Sequence, residues 1–98
     1  MTEFKFDEDK ILDEVYHYLS STYSQHYTSN KSNIQAVDIW NSLGTLESTA
    51  RDNALKYLLR YGKKDGKNRK DLLKAIHYIV LMIYTLNEEE QDVTTPQI

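Results

Sequence analysis

Lys56, Tyr57, Arg60 and Tyr61 fall within six consecutive residues, and together they supply what a phosphate-bearing aromatic ligand needs. Arginine offers a planar fork of donors to phosphate, and lysine offers a point charge. Tyrosine adds a flat surface for a base, with a hydroxyl at its rim. On a helix, Lys56 and Arg60 are four apart and share a face. The surroundings reinforce them. From Arg51 to Lys74 nine residues are basic and three acidic, a net of +6 inside a chain of −3. A cationic centre concentrated in an acidic protein points to an anionic partner at one site. Asn53, Lys63, Lys64, Lys74 and Tyr78 complete the basic and aromatic set around this stretch. For Tyr57 and Tyr78 the competing reading is ordinary core packing. For Lys63, Lys64, Lys67 and Lys70 it is a solvated hairpin tip.

Turnover asks for more than binding does. Phosphoryl transfer needs cradled phosphates, neutralised charge, usually a divalent metal, and a positioned acceptor. Gly62 and Gly66 lack the spacing and the following Gly-Lys-Ser/Thr of a phosphate-binding loop. The only carboxylates near the basic stretch are Asp52, Asp65 and Asp71, so binding without catalysis fits better. His17, His26 and His77 lack metal-ligand spacing and cysteine is absent; neither metal nor cofactor is expected. His26 and Tyr27 are candidates to stack on a base or bond to it, against simple loop packing. A long polyanion would be repelled by the net charge and by the acidic first helix and tail, so a nucleic-acid polymer is a poorer partner than a compact anion. No membrane segment is expected: the longest apolar run, Ile79 to Tyr84, is far below the roughly 20 residues of a span.

The elements that must position these side chains are helices. With one proline and three glycines in 98 residues, breakers are too few for anything but an all-α bundle of about four helices. The reading is one helical nucleotide-binding domain over residues 1–87 and an acidic disordered tail over 88–98. A chain this small also gains from self-association. Helix one is expected from Asp7, as N-cap, to about Ser20, with Ile11, Val15 and Leu19 facing the core, then an ordered connector to Asn33. Helix two runs from about Ile34 to Leu43, with Val37 and Trp40 inward and Gly44 as terminator. Helix three ends at Tyr61 before Gly62 and is expected to bury Ala50, Ala54, Leu55, Leu58 and Leu59. Helix four, the longest, starts at Asn68 as N-cap, with Asp71 reaching back to it in a box-like arrangement. Lys74 then lies opposite Lys56 and Arg60. Ile79 to Ile83 is apolar nearly all round, which a lone small bundle rarely buries, so this helix is expected to meet another subunit.

A family resemblance adds to this. The pattern Asn53-Ala54-Leu55-Lys56-Tyr57-Leu58-x-Arg60-x-Gly62-Lys63-Lys64, followed by Asp71-Leu72-x-Lys74-Ala75-x-x-Tyr78, resembles the motif of a small phage family that includes a podophage nucleotide kinase. His26-Tyr27 and Val37-Asp38-Ile39 match its lead-in, so the likeness covers roughly Gln25 to Tyr84. Asp52 stands where the family usually has glycine. In size and in its basic helical hairpin the chain is also similar to small phage anti-CBASS sponge proteins, which sequester cyclic nucleotide signals of bacterial immunity such as cGAMP. The first resemblance implies a kinase acting on small nucleotides, the second a homo-oligomeric binder that does not cleave its ligand. Both imply the cytoplasm of an infected bacterial host.

Overall fold

The computed structural model describes residues 2–26 and 35–94. Among them the chain is all-α, with four helices in the order α1 (Glu8–His26), α2 (Ala36–Leu43), α3 (Leu46–Arg60) and α4 (Arg69–Thr94). The described residues divide into two compact units, one before residue 36 and one from residue 36 onward.

The first unit is built on α1. Asp7 precedes it with φ of 59°, a left-handed conformation that aspartate tolerates better than most residues. Its carbonyl accepts the Ile11 N–H at 2.9 Å, and Glu8 accepts the Phe6 N–H through Oε1 at 2.9 Å. Val15 is buried, while Ile11 of the expected stripe and the adjacent Leu12 are exposed. The helix overruns the expected stop at Ser20 and continues to His26. The residues after Ser20 include no glycine or proline, and the Thr22 hydroxyl bonds back to the Tyr18 carbonyl at 3.0 Å, so nothing breaks the ladder. The rest of the connector expected up to Asn33 lies outside the described residues, as does Ile34, where helix two was expected to begin.

In the second unit α3 packs chiefly on α4, and α2 packs on α3. Gly44, with φ of 78°, ends α2 in the left-handed position that glycine occupies without strain. Its N–H donates to the Asn41 carbonyl at 3.2 Å, and the Thr45 N–H donates to that of Trp40 at 2.9 Å. Thr45 leads into α3 without a side-chain cap. The buried strip between α3 and α4 is made of small residues: Ala50 and Ala54 on one helix, Ala75 on the other, with Leu46 at the end. This corrects the expected core. Leu55, Leu58 and Leu59 are 47%, 48% and 66% exposed, because α4 lies against the alanine side of α3 and the leucines point away from it. Alanines at a helix contact let the axes approach closely, which leaves the larger side chains at the flanks.

The α3–α4 turn is held by its own backbone. The Gly62 N–H donates to the Gly66 carbonyl at 2.9 Å, and Lys63 and Lys64 donate to the Arg60 carbonyl at 2.9 and 3.3 Å. Asp65 and Gly66 are both left-handed. Asn68 caps α4 as expected, its Oδ1 accepting the Lys70 N–H at 2.9 Å. The reciprocal half of the box does not form, since the Asn68 N–H is taken by the Gly66 carbonyl at 3.0 Å. At its far end α4 continues through Glu88–Gln91 to Thr94, past residue 87. Glutamate and glutamine are good helix formers, and acidity alone does not stop a helix.

Candidate functional site

Tyr57 is the centre of the site. It projects from the last turns of α3 toward α4, where its ring lies nearly parallel to that of Tyr78, with centroids 6.0 Å apart and planes 12° from each other. Three cations surround the same ring: Lys56 Nζ at 4.7 Å from the centroid, Arg60 Cζ at 5.1 Å and Lys74 Nζ at 5.2 Å. The first two come from neighbouring positions on α3, and Lys74 arrives from α4. This is the convergence that the spacing implied. Among the described residues none of the three makes an ion pair; the Lys10–Asp7 ion pair and the His17–Asp13 contact are exposed and lie on the N-terminal unit.

The energetics of this grouping are nearly balanced without a ligand. A cation over an aromatic face gains about 0.5–1 kcal/mol at an exposed site. Unit charges several ångströms apart repel by roughly the same amount, even in bulk water. An anion placed among the three converts each repulsion into an attraction. The arrangement therefore leaves three positive charges around one ring, a grouping that an anion would stabilise.

Asp71 adds a feature that the sequence reading assigned to capping. It is 5% exposed, and its Oδ2 has no hydrogen-bond partner. It stands one turn before Lys74 on the face of α4 that also carries Ala75 and Tyr78. A buried carboxylate oxygen left unpaired is costly, so this atom is a second polar element of the region. His77 was missed as a neighbour of the site, its only sequence signal being adjacency to Tyr78. Its ring stacks on Tyr78 with centroids 6.1 Å apart. Burial holds its pKa below the usual value of 6.5, so it is neutral at pH 7 and adds no charge to the cluster.

The other candidates are more peripheral. Asn53 is half-buried and donates through Nδ2 to the Thr49 carbonyl at 2.8 Å. Tyr61 closes α3, its N–H donating to the Tyr57 carbonyl at 3.1 Å. Lys63 and Lys64 are exposed in the turn. His26 is the last residue of α1, and Tyr27 lies outside the described residues. No group of histidines and carboxylates suited to a metal ion occurs among the described residues. None of the described helices is long and apolar enough to cross a membrane.

Residues 21–80 match the model of a family described only as a protein of unknown function, DUF3310. No curated protein and no solved structure matches the chain.

Proposed function

We propose that this chain, which belongs to the DUF3310 family, binds a small nucleotide at the Tyr57 cluster and holds it without converting it. The observation that carries the reading is the convergence of Lys56, Arg60 and Lys74 on one tyrosine ring with no carboxylate paired to any of them among the described residues. Three cations suit a ligand with two phosphates. The Tyr57–Tyr78 pair suits the base attached to them. A cyclic dinucleotide such as cGAMP combines these groups, and the resemblance to phage sponge proteins favours that class. The biological role is then to sequester an immune signal in the cytoplasm of an infected host cell.

A second reading, a nucleotide kinase, is favoured by one observation. Asp71 keeps a buried, unpartnered carboxylate oxygen one turn from Lys74, and phosphoryl transfer uses such a group to hold a metal ion or to accept a proton. Against it, a phosphate-binding loop is absent from the sequence.

One experiment separates the readings. The protein is incubated with cyclic dinucleotides, and in parallel with nucleoside monophosphates plus ATP and Mg²⁺, then freed of unbound ligand, heated and chromatographed. The sequestering reading expects intact cyclic dinucleotide in the released fraction. A phosphorylated product would establish the kinase instead. Absence of both binding and conversion across the panel would remove nucleotides as the ligand class.

A further inference from the structure

The charge along α4 runs against the helix's own dipole. Arg69 and Lys70 open it, with Asp71 the one acid beside them where the dipole favours acids, and Glu88, Glu89 and Glu90 lie toward the end that favours bases. From Ala75 to Asn87 no aspartate, glutamate, lysine or arginine occurs. An apolar seam enters that stretch from Leu72 and is exposed from Ile79 onward. Leu72, Ile76, Ile79, Ile83 and Leu86 recur at alternating steps of four and three, the spacing that keeps one stripe facing a partner helix. Ile79, Ile83 and Leu86 are 42%, 52% and 48% exposed, and an open groove of about 400 Å³ runs along them with Met82 and Glu47 at its wall. The same steps carry the seam to Arg69 at one end and Glu90 at the other.

We infer that a second copy of this chain docks on the seam with its α4 antiparallel, about a two-fold axis that passes between Ile79 and Val80. Charge complementarity selects both the occupant and its direction. In this register Ile76 faces Ile83 of the second copy and Arg69 faces its Glu90. Because a two-fold contact is self-complementary, every such pair forms twice. Each basic N-terminal end then meets an acidic C-terminal end, and the two helix dipoles oppose each other. A parallel pair would set Arg69 on Arg69 and the glutamates on one another. The inference rests on α4 alone and does not depend on the proposed ligand.

The chain has no cysteine, so single cysteines report geometry cleanly. Ile79→Cys sits beside the axis and is expected to form a disulfide-linked dimer under mild oxidation. Glu90→Cys is expected to stay unlinked, since the two copies of residue 90 would lie ~31 Å apart along the axis at 1.5 Å per residue. Sedimentation of the full chain at micromolar concentration should give a dimer. Arg69→Glu and Glu90→Arg should each weaken it by about tenfold, and the double variant should regain most of that loss, because the swapped ends again attract. These substitutions are at exposed positions, so the fold is retained and circular dichroism checks it. A monomeric wild type, with the seam bare or taken by another part of the chain, overturns the inference. So does linkage at residue 90, or a double variant as weak as the sum of its parts.

Discussion

The two flanks of the α3–α4 hairpin are made from the same pair of helices and expose opposite chemistry. On one flank Lys56, Arg60 and Lys74 gather round Tyr57. On the other, Leu55, Leu58 and Leu59 of α3 and Ile79 and Ile83 of α4 are exposed as bare aliphatic surface. Neighbouring residues in a helix are turned by about 100° from each other, so a shift of one position, from Lys56 to Leu55, is enough to change flank. What divides them is the buried strip of Ala50, Ala54 and Ala75. Small residues define the contact, and the larger side chains on either side are left exposed. The difference teaches that in this hairpin side-chain size does not mark the core.

The largest effect should come from disturbing the strip that both flanks share. Ala75 is 1% exposed, so Ala75→Leu has no room and should destabilise the fold by about 1–3 kcal/mol. A thermal melt would read this as a fall of roughly 4–8 °C per kcal/mol. An unchanged melting temperature would mean that the helices do not meet through this strip. Next in size is a change confined to the cationic flank. Arg60→Ala removes a charge-assisted fork from a proposed phosphate and should weaken ligand affinity by about 1.5–3 kcal/mol, roughly tenfold to more than a hundredfold. Calorimetric titration with a cyclic dinucleotide measures it. The melting temperature should stay close to that of the parent, which separates this flank from the strip.

These features were unevenly legible in the sequence. The ends of α2 and α3 and the start of α4 were readable because the chemistry there is local: Gly44 and Gly62 are left-handed, and Asn68 caps through its own side chain. The placing of Lys74 opposite Lys56 and Arg60 was also accessible, since helical spacing puts the α3 pair on one face and the short turn makes α4 antiparallel. The orientation of α3 was not. Both its alanines and its leucines form plausible stripes, and only the neighbour decides which is covered. Asp71 was opaque for a similar reason, because an acid at the third position of a helix has a sufficient local role in capping. Its burial and bare oxygen belong to the packing of α4 on α3.

The half-buried His77 gives the cationic flank a pH signature that the aliphatic flank lacks. Burial lowers its folded-state pKa below 6.5, so between that lowered value and about 6.5 the unfolded chain binds more protons than the folded one. Its contribution to stability is therefore present above pH 6.5 and is lost as the pH falls through that window. Melts from pH 7.5 down to pH 5 should show the decline, and His77→Gln should flatten the part that this residue supplies. A slope identical in the variant would assign the decline to other groups.

The smallest effect is expected at the hairpin tip. Lys67 is exposed, and neither an ion pair nor a ring contact ties it to the cluster. It would act on a ligand only through the general positive field. Exposed charges more than about 10 Å apart are largely screened at 0.1 M salt, so Lys67→Ala should change affinity by less than about threefold under those conditions. At low salt the loss should grow, because the field then reaches further, whereas the Arg60→Ala loss should persist at both ionic strengths if the guanidinium touches the phosphate. Titrating both variants at two salt concentrations sharpens the contrast between a site and a charged surface. Equal losses for Arg60→Ala and Lys67→Ala, fading together as salt is raised, would mean that the flank attracts anions without a defined seat for one.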